Sequence, residues 1–325
     1  MAEPKLIILV PAYNESERIA PVLRDYATYF RDEYDGGFEI VVVLNGCSDN
    51  TREVVEVEAE DFPEIRQIEF KDAIGKGGAL IEGLKLAEEC ELIGFTDADG
   101  ATDPKSFLNL VRQCDEHDCV IGSRRMKDSQ IHQLQPTKRI AASKVYHRIV
   151  QTFFGMDIMD TQCGAKVFKS EAIRKIHPSL HTADMAVDVN ILFCLKRAGF
   201  TILEAPVEWT DKIGTKVRYF RSSMAMLLSL IRLRLVYSPF YKLLAPLRPL
   251  EGWVYKKLRN PPPLRPKRVE DEKEEAGDKE DEPKESEDDS DTPEKGVDRD
   301  GAKEPKSEKQ GKKLKAPNSG APPEH

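Results

Sequence analysis

The chain has 325 residues, 40% hydrophobic and 33% charged, with a net charge of −8, a length that suits one large α/β domain with extensions or two average domains. Its six scattered cysteines contain no Cys-x-x-Cys pair, which excludes a disulfide scaffold and reads as reduced thiols. No uncharged apolar run approaches the ~20 residues of a spanning helix. Charge is unevenly spread: residues 1–211 and 270–325 are net acidic, whereas residues 212–269 carry fourteen basic side chains against one acidic.

The N-terminus enters a strand-like stretch at Lys5 without the apolar region and cleavage site of a signal peptide, so no leader is expected. Leu6–Val10, Ile40–Leu44, Leu92–Phe95 and Val120–Ser123 are short apolar runs, the pattern of strands buried on both faces. Helical stretches fall between them at Ser16–Phe30, Asn50–Ala59, Gly77–Cys90 and Pro104–Glu116, the last opened by an Asp103 cap with proline after it. The alternation predicts a doubly wound, mainly parallel α/β sheet whose ligand lies beyond the carboxyl ends of its strands.

Further along, Lys138–Phe153 and Val217–Leu235 read as helices. The second is apolar over much of its circumference and carries Arg232 and Arg234, and aromatic and basic residues follow it, among them Tyr237, Trp253, Lys256 and Lys257. That mixture suits the headgroup level of an anionic membrane surface; docking on the catalytic domain or a dimer contact is the competing reading. Pro261-Pro262-Pro263 then marks a joint, and Glu270–His325 is too poor in large apolar residues to offset its chain entropy. The expected organisation is a catalytic domain at 1–216, a membrane-associating helical segment at 217–260 and a disordered acidic tail at 261–325.

Polar clusters close the strands. The first ends in Pro11-Ala12-Tyr13-Asn14-Glu15, the second in Asn45-Gly46-Cys47-Ser48-Asp49, and the strand at Leu92 in Asp97-Ala98-Asp99. A lone Asp-x-Asp is weak, since the tail repeats it at Asp289/Asp291 and Asp298/Asp300. At a ligand-binding strand end, however, two unpaired carboxylates are costly and a divalent metal would neutralise them.

In order across residues 10–216 the chain reads VPAYNE, NGCSDNT, GKGGAL, FTDADGATD, VIGSR, DTQCGAKVF and PVEWTDKIGTK. Together these motifs resemble the family-2 glycosyltransferases of the GT-A fold, most closely the dolichyl-phosphate glucosyltransferases, with the dolichyl-phosphate mannose synthases next. The resemblance implies that Asp97 and Asp99 hold Mg²⁺ or Mn²⁺ and are the catalytic pair. It implies that Pro11, Ala12, Tyr13, Glu15, Asn45, Asp49, Lys76 and Ala98 line the nucleotide-sugar pocket with them. Glu15 also reads as a helix-start carboxylate, and Lys76 as a solvated lysine of a helix-entry turn. Two departures stand out: Asn45 occupies a position where an acidic residue often contacts the nucleotide, and Ala165 replaces the aromatic usual after DTQCG.

A lipid-phosphate acceptor, largely dianionic near neutral pH, needs cations that position it rather than a general base. Acceptor-binding Arg, Arg and Ser of the mannose synthases fall on Arg124, Arg139 and Ser143, with Arg125 a less specific neighbour and Lys212 in a cationic loop suited to a phosphate. Asp184 and Asp188 face the site or are plain helix charges. The leading expectation is an inverting transferase that moves glucose from UDP-glucose to dolichyl phosphate, in the cytoplasm and peripheral on the cytoplasmic membrane face. The alternatives are a non-lipid acceptor, another donor such as GDP-mannose or UDP-GlcNAc, and a non-catalytic scaffold. No nucleic-acid partner is expected.

Overall fold

The computed structural model describes residues 5–132, 137–180, 184, 186–210 and 219–238, apart from the side chains of 137–142 and 219–225. Strand β1 (Leu6–Ala12) lies at the heart of a seven-stranded sheet, hydrogen-bonded to parallel neighbours on both sides. One neighbour is β2 (Phe38–Asn45), which carries β3 (Ile65–Phe70) at the edge; the other is β4 (Leu92–Phe95). The sheet continues through β7 (Lys166–Lys169), β5 (Cys119–Ser123) and β8 (Ile202–Pro206), giving the order β3-β2-β1-β4-β7-β5-β8. Only β7 runs against its neighbours, so the sheet is mixed but mainly parallel. A two-stranded parallel pair, β6 (Gln130–Ile131) and β9 (Glu208–Trp209), stands apart.

Alternation along β1 explains why both faces need helices. Leu6, Ile8 and Val10 join one core with α1 (Ile19–Glu33), α2 (Thr51–Asp61) and α4 (Pro104–Gln113). Ile7 and Leu9 join the opposite core with α3 (Gly75–Gly83), α5 (Thr137–Phe154), α6 (Ser170–Ile176), α7 (Val187–Ala198) and α8 (Tyr219–Val236). Successive strand side chains point to opposite faces, so an all-apolar run is what a doubly covered strand requires.

The expected Asp103 cap forms, its Oδ1 accepting the Ser106 N–H at 3.3 Å. The helix expected at Gly77–Cys90 instead starts at Gly75, ends at Gly83 and tightens into a 3₁₀ turn over Leu84–Glu88. At Gly83 the helix presses on the sheet; a Cβ there would stand 2.9 Å from a Leu9 methyl. Outward from β1, the chain runs through β2 to β3 in one direction and then places β4 on the other side. The carboxyl ends of β1 and β4 therefore flank a topological switch point, where open α/β sheets bind ligands.

Helix α8 docks one side on the catalytic domain and leaves the other exposed. Leu230 and Leu233 are fully buried and α8 packs against α5. Ile231 and Leu235 stay more than a third exposed, in company with exposed Arg232 and Arg234. The Tyr237 ring, just beyond, meets Phe193 edge-on with centroids 5.1 Å apart. Among the described residues no helix is long and apolar enough to cross a membrane. The loop holding Lys212 and the tail from 261 onward lie outside the described residues, as does most of the segment after α8.

Candidate active site

Side-chain hydrogen bonds fasten three loops together at the switch point. Asn14, in the left-handed region at φ 54°, accepts the Ser48 N–H on its Oδ1 at 2.8 Å. Asp49 accepts the Ser16 and Thr51 N–H groups, each at 3.1 Å, and the Thr51 hydroxyl at 2.5 Å. Burial pushes the Asp49 carboxyl up, but these donors prevail and hold it below its ordinary range. The Thr51 hydroxyl oxygen in turn accepts the Glu15 N–H at 2.8 Å. Asn45 is buried and its Oδ1 accepts the Ile74 N–H at 2.8 Å, tying β2 to the start of α3. The next residue, Gly46, has φ +66°, and a Cβ there would lie 2.5 Å from Ala73 N. Asn45 and Asp49 thus fasten the loops at the carboxyl ends of β1 and β2.

Pro11, Ala12 and Tyr13 form the lip of β1, with Ala12 buried and its neighbours half-buried. Glu15 is gripped by Arg18 through two bonds of 2.8 Å. Burial raises the Glu15 carboxyl above its ordinary value, against the pull of Arg18, and Asp99 and Asp49 add to the rise.

Asp97 and Asp99 project just past β4. Below them the buried Tyr26 hydroxyl meets Thr96 Oγ1 and the Thr102 carbonyl, both at 3.1 Å, fixing this turn to α1. Lys76, in the first turn of α3, donates to Asp97 Oδ1 at 2.5 Å. Burial disfavours its charge, yet Asp97, Asp188 and Asp99 overcome that and raise its pKa, so it remains an ammonium. Asp99 Oδ1 accepts the Ala101 N–H at 3.0 Å, and burial together with the Asp97 charge raises the Asp99 pKa. Ala98, between them, is buried. Gly164 permits the approach of the DTQCG turn: a Cβ on it would stand 2.1 Å from Asp97 Oδ2.

The expected acceptor residues divide. Arg124 is locked on Asp160, through Nε at 2.7 Å and Nη2 at 2.8 Å, with its guanidinium carbon 4.8 Å from the Trp209 ring centroid. Its pKa is lowered by burial but raised further by Asp160, and Asp97 lies within electrostatic reach. Arg125 grips Ser143, donating to its carbonyl at 3.0 Å and its hydroxyl oxygen at 2.7 Å. Arg139 lies on α5, its side chain outside the described residues. Asp188 is no exposed helix charge: it is buried and accepts from the fully buried Lys166 at 2.5 Å. Asp184 accepts the Ala186 N–H at 2.9 Å. Asp160 and Lys166 lie within the DTQCGAKVF motif, and their partners, Arg124 and Asp188, are distant in the sequence.

Two hard carboxylates, one with a raised pKa beside the other, make a donor set for a divalent cation that a ligand must complete. Among the described residues no group of three or more such side chains converges.

The sequence matches Glycosyl transferase family 2 over residues 7–177. It is 33% identical over 244 residues to the dolichyl-phosphate beta-glucosyltransferase of Dictyostelium discoideum, covering 71% of this chain and 74% of that protein. Among solved structures it resembles the mannosyltransferase PcManGT from Pyrobaculum calidifontis in complex with GDP-Man and Mn²⁺. That match has a TM-score of 0.51 at 19% identity, over 79% of this chain and 74% of the other. A glucosyl-3-phosphoglycerate synthase from Mycobacterium tuberculosis, in complex with Mn²⁺, UDP and glucosyl-3-phosphoglycerate, matches with a TM-score of 0.51 at 16% identity, over 71% of this chain and 80% of the other. These two share the fold.

Proposed function

The chain belongs to glycosyl transferase family 2 and is a nucleotide-sugar-dependent transferase, and we propose that it moves glucose from UDP-glucose onto dolichyl phosphate or a related polyprenyl phosphate, with inversion. The observation that carries this reading is the convergence of Asp97, Asp99 and Lys76 at the switch point, with the Arg125–Ser143 contact on the α5 side. The name of the Dictyostelium relative supports the sugar and the acceptor.

Pro11, Tyr13 and the fastened Asn45 and Asp49 loops line the nucleotide end of the pocket. Asp97 and Asp99 fit Mg²⁺ or Mn²⁺, since their hard oxygens leave coordination positions for phosphate oxygens. Bound there, the cation supplies Lewis-acid charge neutralisation to the departing diphosphate. Lys76 contributes a second positive charge at the same end of the donor. The acceptor phosphate, with a second pKa of about 6, is already nucleophilic at neutral pH and needs no proton removed. The protein's task on that side is positioning: Ser143 and Arg125, with Arg139 from the same helix, orient the phosphate oxygens by charge-assisted bonds. Arg124 holds the DTQCG turn through Asp160 and adds positive potential behind the site.

The enzyme works peripherally on a cytoplasmic membrane face in this reading. The exposed Ile231 and Leu235 of α8 and its exposed arginines support contact with an anionic lipid surface.

The test is a panel of UDP-glucose, UDP-GlcNAc and GDP-mannose, each supplied with dolichyl phosphate and Mg²⁺. UDP-glucose should give transfer, and Asp97→Asn should abolish it. Preference for another nucleotide sugar would overturn the donor assignment.

A further inference from the structure

Lys76 and Asp97 form an ion pair across the mouth of the site, Nζ to Oδ1 at 2.5 Å, with each side chain about a quarter exposed. The carboxylate is held in place, whereas the ammonium sits at the end of a flexible four-carbon stem. Asp97 is fixed on its far side, because its Oδ2 lies against Gly164 so closely that a Cβ there would stand 2.1 Å away. Lys76 sits in the first turn of α3, whose entry is set by Gly75 at φ +81° and by the Asn45 bond to the Ile74 N–H. Asp99 is not in this pair; its Oδ1 is turned to the Ala101 N–H.

An ammonium on a carboxylate oxygen and a divalent cation on that same oxygen compete, because the two positive charges repel each other at that distance. From this we infer that Lys76 is a positioning residue that occupies Asp97 until the donor arrives, and that it exchanges partners when it does. In the free enzyme Lys76 neutralises Asp97. With the nucleotide diphosphate in place, Lys76 turns to a phosphate oxygen and leaves Asp97 Oδ1 to the divalent cation. Charge balances at each stage: one ammonium and one carboxylate cancel before, and afterwards the two positive charges of the cation are cancelled by the two negative charges of the nucleotide-sugar diphosphate that arrives with it. The first turn of α3 favours the exchange, since its unpaired N–H groups also draw phosphate toward Lys76.

The device makes cation and nucleotide bind cooperatively. Each one weakens the contact that keeps the other out, so by linkage each must tighten the other by the same factor. An enzyme built this way holds the metal only weakly without its donor. The inference rests on the assignment of Asp97 as a metal carboxylate, and the experiment separates the two.

Titrate Mn²⁺ into the full-length protein by calorimetry, with and without UDP, for the parent, Lys76→Met, Lys76→Gln and Asp97→Asn. The parent should bind Mn²⁺ weakly alone and at least tenfold more tightly with UDP. Lys76→Met and Lys76→Gln should bind Mn²⁺ alone at least tenfold more tightly than the parent, bind UDP more weakly, and lose most of the coupling. A gain in metal affinity is something a merely damaged site cannot produce, and the two substitutions guard against a folding defect in one. Parent binding of Mn²⁺ with no gain in either Lys76 variant overturns the exchange and leaves the metal assignment standing. If the parent binds no Mn²⁺ with or without UDP, or Asp97→Asn binds it as well as the parent, the metal assignment falls and the exchange falls with it.

Discussion

Gly164 and Asp97 touch through the absence of a side chain: a Cβ at Gly164 would stand 2.1 Å from Asp97 Oδ2 and 2.5 Å from its Cγ. Gly164→Ala must therefore displace either the DTQCG turn or the carboxylate. A shift of about 1 Å at a reacting centre costs about a hundredfold in rate. The variant should fold and lose at least that factor in kcat, measured beside its melting temperature. Unchanged turnover in a variant whose structure shows Asp97 displaced would remove Asp97 from the reacting centre.

Asp160 and Arg124 test the second framework of the site. Asp160 is almost fully buried and Arg124 about a fifth exposed. Removing one charge of such a pair leaves the other uncompensated, at a cost of about 3 kcal/mol. Asp160→Asn should lower the denaturation midpoint accordingly.

The pH dependence of the pair has a defined sign. Burial pushes the Asp160 carboxyl up, but Arg124 overrides it and holds it below the ordinary range. A depressed carboxyl contributes stability that is present above its unfolded value, ~3.9, and lost as pH falls through the lower folded value. Parent stability from this source should thus hold down to about pH 4 and fall below it. Chemical denaturation at stepped pH should show the difference between the parent and Asp160→Asn shrinking only in that acidic window.

Tyr237 fastens the end of α8 to the catalytic domain. Its hydroxyl meets the Ser179 carbonyl and Asn190 Oδ1, the latter at 2.8 Å, and the Arg197 guanidinium carbon lies 5.6 Å from its ring centroid. Tyr237→Phe keeps the ring and removes the hydrogen bond, which should cost about 1–2 kcal/mol. Hydrogen exchange should quicken in α8 and leave β1 and β2 unchanged. Equal quickening throughout would mean that α8 has no separate docking.

The outward side of α8 is the surface expected to meet lipid. Each basic residue near an anionic leaflet is worth about 1 kcal/mol. Replacing both Arg232 and Arg234 with Gln should weaken binding to phosphatidylserine vesicles more than tenfold at low salt. Vesicle co-sedimentation that is unchanged in the double variant would contradict this placement.

What could be read from the sequence follows from what burial does to composition. β1, β2, β4 and β5 showed as apolar runs because helices cover both faces of the sheet. β3 did not, since its edge position tolerates Arg66, Gln67 and Glu69 among Ile65, Ile68 and Phe70. β7 was masked by Lys166, a charge that strand patterns exclude unless it has a partner; that partner, Asp188, lies 22 positions away. The same distance effect hid the bonds by which Asn45 and Asp49 fasten the loops: Asn45 accepts an N–H 29 positions away and Asp49 one 33 positions away. Asp97 and Asp99 follow the end of β4 as expected, while the contact of Lys76 with Asp97 is visible only in three dimensions.

Acceptor dependence is the most direct test of the central claim, that this family-2 transferase glycosylates a polyprenyl phosphate. Incubate the enzyme and Mg²⁺ with UDP-[¹⁴C]glucose, alone, with dolichyl phosphate, and with dephosphorylated dolichol, and count label in the organic phase. Label should enter that phase only with dolichyl phosphate, and the product should be labile to mild acid as a glycosyl phosphate. Arg139→Ala should raise the KM for dolichyl phosphate while leaving UDP affinity within a factor of about two. Label that stays in the aqueous phase on a soluble acceptor, or enters the organic phase equally with dolichol, would contradict the account.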